Sequence, residues 1–373
     1  MYTLIIISVL VTFIYVLFIS VLVNGWMKID LFKENGNQHK TFCSIIIAAR
    51  NEAGNIENIL SDILLQETDR SLIEIIVVND HSEDQTASVV SFFQQNQSVI
   101  LLNLPDDLHG KKQALAYGIA KATGELIITI DADCRVGKRW LGSIMSFYET
   151  HSPHLIIGPV DYIAQKGFWQ KMQNIEFLSL VGTSAAATGN GQSFLCNGAN
   201  LIFPRSVYTQ INDPFNNSVS SGDDVFLLHN IKKRPDAKIM FLKSPQAIVY
   251  TEGSKTIKEF VSQKVRWASK SKLMSDTESL SFILIISAIN IHLGFLLILG
   301  LFFTKVLFLF MGVYIIKMIV DTTFFKQILP FFSKSSLLKL TIVANFLYFF
   351  YYITMIILSL SYKPKWKNRT IKV

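Results

Sequence analysis

The chain has 373 residues, half of them hydrophobic and 28 of them Phe, with a formal net charge of +7. That apolar content exceeds what one soluble core needs, and no nucleic-acid-binding motif accompanies the basic excess. The three cysteines, Cys43, Cys134 and Cys196, lack metal-ligand spacing and read as small, reduced, buried residues rather than a disulfide framework.

The surplus of apolar residues sits at the two ends. Residues 1–23 hold the uncharged run Tyr2–Val23, long enough to cross a hydrocarbon core of roughly 30 Å. No basic residue precedes it and no Ala-x-Ala follows, so it reads as an uncleaved transmembrane anchor rather than a signal peptide. Residues 24–40 are a polar linker.

From residue 41 short β-branched runs alternate with helical patterns, the signature of an α/β fold with a parallel sheet. The predicted strands are Cys43–Ala48, Ile73–Asn79, Ile100–Leu104 and Leu126–Ile130. Helices are expected over Asn55–Gln66, from near Asp84, and over Lys111–Lys121 with Ala114, Leu115, Gly118 and Ile119 inward. This is the pattern of a doubly wound, Rossmann-like nucleotide-binding half, in which ligands bind beyond the carboxyl ends of the strands.

The polar residues of interest fall at those ends. Asp131-Ala132-Asp133 closes the fourth strand, and two carboxylates there repel unless a cation sits between them. A hard divalent ion, Mg²⁺ or Mn²⁺, held together with substrate phosphates, is the natural partner. Asp80, just past the second strand, is placed to accept hydrogen bonds from a base or ribose; an Asx turn is the plainer reading. In Ala48-Ala49-Arg50-Asn51-Glu52 the small residues allow close backbone approach, with Glu52 in reach of a ribose. Gly110-Lys111-Lys112 opens a helix, where backbone amides and a lysine favour phosphate.

Ser221-Gly222-Asp223-Asp224 is a second acidic pair at a helix start, able to supply a general base or merely to cap the helix. Gln263, Arg266 and Trp267 share one face of a helix expected near 257–273. Lys255, Lys258, Lys264, Lys270 and Lys272 would let that helix lie on an anionic membrane surface. The C-terminal region, 280–362, carries apolar runs at Leu280–Phe303, Val306–Phe325 and Leu337–Tyr362, enough for two or three spans. Lys317 and Asp321 share a helix face in the middle one, which leaves open whether it crosses the membrane in a bundle or lies at its interface. A basic tail, 363–373 with Lys363, Lys365, Lys367, Arg369 and Lys372, suits anionic headgroups.

The ordered motifs Ala48–Glu52, Asp80, Gly110-Lys111, Asp131-Ala132-Asp133, Asp223-Asp224 and Gln263–Trp267 resemble those of the membrane-bound family 2 glycosyltransferases. The resemblance covers roughly residues 40–275. It implies a GT-A catalytic domain over 41–275 flanked by transmembrane helices. It implies inverting, metal-dependent transfer from a UDP- or other nucleotide-activated sugar. Carried over position by position, Ala49, Glu52, Asp80, Lys111, Asp131 and Asp133 look like nucleotide-sugar-binding residues, with Asp131 and Asp133 holding the metal. Asp224, beside Asp223, looks like the catalytic base, and Gln263, Arg266 and Trp267 look like the Q-x-x-R-W motif near diphosphate and acceptor. The implied acceptor is a membrane lipid or lipid-linked glycan, the alternative a processive polysaccharide synthase making a β-linked polymer. The implied setting is a bacterial inner membrane, catalytic domain toward the cytoplasm.

Overall fold

The computed structural model describes residues 1–34, 36, 38–96, 99–163, 167–216, 222–270, 276–361, 365–366 and 369–370. Ser221, Lys272, Tyr362, Lys363, Lys367 and Lys372 of the expectations above lie outside the described residues.

In chain order the elements are α1 (Tyr2–Lys28), β1 (Cys43–Ala49), α2 (Ile56–Leu64), β2 (Ile73–Asn79), α3 (Thr86–Asn96), β3 (Val99–Asn103), α4 (Lys111–Lys121), β4 (Leu126–Thr129), β5 (Arg135–Val136), α5 (Trp140–His151), β6 (Leu155–Ile157), β7 (Val160–Tyr162) and α6 (Phe168–Gly189). There follow β8 (Leu201–Pro204), α7 (Arg205–Thr209), α8 (Asp223–Lys232), β9 (Ile239–Phe241), β10 (Val249–Thr251), α9 (Ile257–Lys270), α10 (Thr277–Gly300), α11 (Thr304–Ile328) and α12 (Thr341–Ser361). They divide into two compact units: α1, α6 and α9–α12 form a helical unit, and β1–β10 with the remaining helices form an α/β unit.

In the α/β unit a seven-stranded sheet has the order β3-β2-β1-β4-β8-β6-β9. β1 is a run of small and β-branched residues, nearly all buried, because parallel neighbours β2 and β4 flank it. The amphipathic helices follow from their sequence. Ile56, Ile59, Leu60 and Ile63 form the buried side of α2. α4 lies so near the sheet that a Cβ on Gly118 would come within 2.8 Å of Ile46 and 2.9 Å of Val78. The helix expected near Asp84 begins at Thr86, whose backbone N–H donates to Asp84 Oδ1 at 3.0 Å.

The sheet departs from an all-parallel one beyond β4. β8 runs antiparallel to β4 and to β6, and β9 returns parallel to β6. These strands have only three or four residues each. Strands that short carry too little periodicity to set a direction from sequence. A second sheet, β5-β10-β7, completes this unit.

Asn200 joins the pieces. It is fully buried, its Nδ2 donates to Pro159 O and Ala247 O, both at 2.9 Å, and its Oδ1 accepts from Trp140 Nε1 at 3.3 Å. Asn200→Ala leaves two buried groups, Ala247 O and Trp140 Nε1, without this partner, while Pro159 O keeps the backbone N–H of Val249 at 3.0 Å. At about 1–3 kcal/mol for each such group, the variant should lose roughly 2 kcal/mol or more. The fall is read as an earlier urea midpoint in the fluorescence of Trp140; an unchanged midpoint would refute the joint.

Among the described residues the helical unit contains four stretches long and apolar enough to cross a membrane: Tyr2–Lys28, Thr277–Gly300, Thr304–Ile328 and Ser335–Met355. Lys317 and Asp321 on α11 are buried and paired at 2.5 Å, so the middle C-terminal helix carries its charges inward. α6 was not foreseen in the sequence. Its small residues let α1 approach: a Cβ on Gly25 would lie 2.0 Å from Ala186 O, and one on Gly189 would lie 2.1 Å from Gly25 O.

Candidate active site

The carboxyl ends of β1, β2 and β4, with the starts of α4 and α8, carry the polar cluster of the α/β unit. Lys111, in the first turn of α4, donates to Asp131 Oδ1 at 2.5 Å and lies 3.9 Å from Asp223 Oδ2. Burial works against its charge, but the carboxylates of Asp131, Asp223 and Asp224 outweigh burial and hold its pKa above the usual lysine value. Asp133 behaves in the opposite way. Burial first, then the charges of Asp131 and Glu52, push its carboxyl up to about 6, with Lys111 opposing.

Asp224 Oδ2 accepts from the backbone N–H of Gly198 at 3.2 Å, and Gly198 O accepts from Thr129 Oγ1 at 3.0 Å on β4. Gly198 was missed in the sequence. A Cβ there would come within 3.2 Å of Asp223 Oδ2 and 3.8 Å of Lys111 Nζ, so the glycine keeps the floor of the cluster low. The readable signal was Asn197-Gly198 just ahead of an apolar strand.

Asp80 is 1% exposed. Its Oδ2 accepts from the backbone N–H of Gly110 at 3.1 Å, which ties the end of β2 to the start of α4. Its Oδ1 lies 3.1 Å from His81 Nδ1. Asp80, His81 and His109 place one ligand atom each within 4.8 Å of one another. Ala49 ends β1 and is buried. Arg50, whose part the sequence did not reveal, donates from Nη1 to Asp80 O at 3.0 Å and His81 O at 3.3 Å, fixing the loop after β2. Glu52 Oε2 accepts from Asn55 Nδ2 at 2.9 Å. Lys112 does not join Lys111: it is buried and donates to Phe215 O at 2.7 Å and Asn216 O at 3.0 Å.

Ala49, Glu52, Asp80, Lys111, Asp131, Asp133, Asp223 and Asp224 therefore all lie in the α/β unit, whereas Gln263, Arg266 and Trp267 lie on α9 of the helical unit. On α9 one expectation fails. Lys264 does not face an anionic surface; it is 5% exposed, donates to Glu176 Oε2 and sits 4.1 Å over the Trp267 ring. A hydrophobic α6 beside it leaves the buried ammonium needing a counter-charge, which Glu176 supplies. Trp267 also stands 6.2 Å from the Phe177 ring. Gln263 Oε1 is buried with no hydrogen-bond partner among the described residues.

The donor set of Asp131 and Asp133 fits a hard divalent cation. Both are carboxylates beyond the end of β4, the oxygen donors that Mg²⁺ and Mn²⁺ take together with substrate phosphates.

Comparison with known proteins agrees with this geometry. Residues 44–211 match the model of glycosyl transferase family 2. Glycosyltransferase AglE of Haloferax volcanii is 26% identical over 196 residues, 52% of this chain and 62% of that one. Poly-beta-1,6-N-acetyl-D-glucosamine synthase of Staphylococcus aureus is 28% identical over 171 residues, 45% of this chain and 40% of that one. The matched stretch thus spans less than two thirds of either relative. Mannosyltransferase PcManGT of Pyrobaculum calidifontis, solved with GDP-Man and Mn²⁺, superposes with a TM-score of 0.56 at 14% identity, covering 96% of this chain and 99% of that one. Sheet order, acidic cluster and relatives point one way: residues 44–211 match the glycosyl transferase family 2 domain, and the central sheet is of GT-A type.

Proposed function

We propose that this chain transfers a sugar, with inversion, from a nucleotide-sugar donor of the UDP type to a lipid or lipid-linked acceptor. The observation that carries the reading is the gathering of Lys111, Asp131, Asp133, Asp223 and Asp224 beyond the strand ends. Asp80, fixed by Gly110 and Arg50, receives the nucleoside, and Ala49 and Glu52 line its approach. Lys111, at a helix N-terminus, meets the diphosphate. Asp131 and Asp133 would hold Mg²⁺ or Mn²⁺, which would neutralise charge on the leaving diphosphate. Asp224 takes the proton of the acceptor hydroxyl as its oxygen bonds to the anomeric carbon and the bond from that carbon to the diphosphate oxygen breaks. Asp223, 3.9 Å from the Lys111 ammonium, serves as a partner of that lysine rather than as the base. Gln263, Arg266 and Trp267 serve the diphosphate and acceptor. The spans anchor the chain in the cell's inner membrane with the catalytic domain on the cytoplasmic side, where nucleotide sugars are made.

Lys111→Met separates the roles at this cluster. Loss of a charge-assisted contact worth about 1.5–3 kcal/mol should weaken donor binding tenfold or more. Divalent-ion affinity should rise, because one positive charge has left the carboxylates. Isothermal titration reads both; a weakened metal and an unchanged donor would place Lys111 outside the phosphate site.

The relation to a Staphylococcus aureus polymer synthase favours a second reading, processive synthesis. A radiolabelled panel of UDP- and GDP-sugars, offered to the full chain in lipid extract with Mg²⁺ or Mn²⁺, tests both. Label in one organic-phase species supports the lipid acceptor; label in a long polymer replaces it with the second reading; no transfer from any sugar removes both.

A further inference from the structure

The helical unit holds a partly open cavity of about 230 Å³, walled by α1, α6, α9, α10, α11 and α12. Its walls are mostly apolar and aromatic, among them Phe18, Phe260, Phe282 and Phe324. Drug-sized pockets run to roughly 300–1,000 Å³, so this chamber suits one hydrocarbon chain rather than a whole two-chain lipid.

Its charges are already matched. Asp321 accepts from Lys317 Nζ and from Tyr15 OH, each at 2.5 Å. Glu176 accepts from Lys264 Nζ and, at 3.3 Å, from Tyr351 OH. Lys317, the cation among the described lining residues, is already paired with Asp321, and burying a phosphate here would cost several kcal/mol of desolvation.

What remains open is neutral hydrogen bonding. Asn345 lines the chamber, is 6% exposed, and its Nδ2 has no partner among the described residues, although its Oδ1 accepts from Lys317 at 3.3 Å. Trp169 lines it too, and its Nε1–H is buried with no partner among the described residues. A buried polar group left unmade costs about 1–3 kcal/mol, so groups in this state mark where a ligand supplies the missing atoms. The third such group is Gln263 Oε1, an acceptor one helical turn from Phe260 on α9. A hydroxyl answers both kinds, since its oxygen accepts and its proton donates.

We infer that this chamber seats one hydrocarbon chain of an uncharged, hydroxyl-bearing membrane lipid, and that this lipid is the sugar acceptor. The inference rests on the lipid-acceptor reading above and names the class of lipid. It also gives α9 two roles, since Phe260 closes the chamber while Gln263, three residues on, meets the hydroxyl.

The test uses the full chain in phosphatidylcholine vesicles with a diacylglycerol carrying a diazirine in one acyl chain. After illumination, label is expected in peptides over 168–183 and 341–351. Excess unlabelled diacylglycerol should suppress it, and phosphatidic acid of the same chains should not. Ser179→Phe, which fills the chamber, should cut labelling at least tenfold, and Trp169→Phe, which keeps an aromatic ring and removes the N–H, severalfold. Trp169→Phe decides the matter if the first variant fails to fold. Label confined to outward-facing residues such as Phe308 and Ile319 would mean ordinary boundary lipid and sink the seat. Equal competition by phosphatidic acid would overturn the uncharged headgroup. Sugar entering the organic phase with the chamber unlabelled would leave the lipid-acceptor reading standing and the seat wrong. A labelled chamber with sugar only in polymer would overturn the acceptor role.

Discussion

Asp224→Asn should abolish sugar transfer, by 10²- to 10⁴-fold in kcat, while nucleotide-sugar binding stays within a few fold. The amide keeps the shape of the carboxylate and an oxygen to accept the backbone N–H of Gly198, now at 3.2 Å, so the start of α8 keeps its position. What is lost is the capacity to take a proton, and the range follows from the usual worth of a positioned general base. Asp223→Asn is the necessary companion. Its Oδ2 lies 3.9 Å from Lys111 Nζ, and its loss removes negative charge from the lysine, so the expected change is in donor binding and only modestly in kcat. Rates at saturating donor, with donor affinity by titration, separate the two. If Asp223→Asn is the dead variant and Asp224→Asn is active, the base is Asp223 and the assignment is reversed.

How much of this was readable beforehand differs by region, for physical reasons. β2 and α4 fall at the predicted residues, because a buried parallel strand must be continuously apolar and a crossover helix must be amphipathic. β1 and β4 differ from expectation by one residue at an end, and β3 is shifted by one. Between 151 and 253 only the helix start at Asp223-Asp224 was legible. The strands there are too short for a period to show, and their antiparallel pairing depends on partners far along the chain. α6 was invisible for another reason: its face toward α1 is made of glycine and alanine, which pack by closeness rather than by hydrophobicity. Within the site, the acidic residues were legible one by one as strand-end and helix-start carboxylates. That Asp131 and Asp223, some ninety residues apart, share one lysine was not, since only the fold brings them together. Lys264 misled because a lysine in a basic stretch reads as surface, and its counter-charge Glu176 lies on the helix the sequence concealed.

Divalent cation should stabilise the protein more at pH 7.5 than at pH 5, and Asp133→Asn should erase the difference. The carboxyl of Asp133 is raised from the ordinary aspartate value to about 6. Between about pH 4 and pH 6 the folded chain therefore holds a proton that the unfolded chain has lost, and stability falls as pH rises through that window. Below it both states are protonated and nothing is lost; above it the deficit is complete, on the order of 2–3 kcal/mol at about 1.4 kcal/mol per pKa unit. Mg²⁺ or Mn²⁺ held by Asp133 would need the ionised carboxylate, so at pH 7.5 the ion would offset a strain already present, whereas at pH 5 it would first have to displace the proton. The Asn variant has no proton to lose, and its stability without metal should no longer decline between pH 4 and 6. It should also be inactive, because Asp131 alone is left to hold the ion while still engaged by Lys111 at 2.5 Å. Melting temperature of the detergent-solubilised chain, with and without 5 mM Mn²⁺ at the two pH values, reads the effect. Equal shifts at both pH values in the native chain would mean that the ion is held elsewhere, and full transfer by Asp133→Asn would take Asp133 out of the metal site altogether.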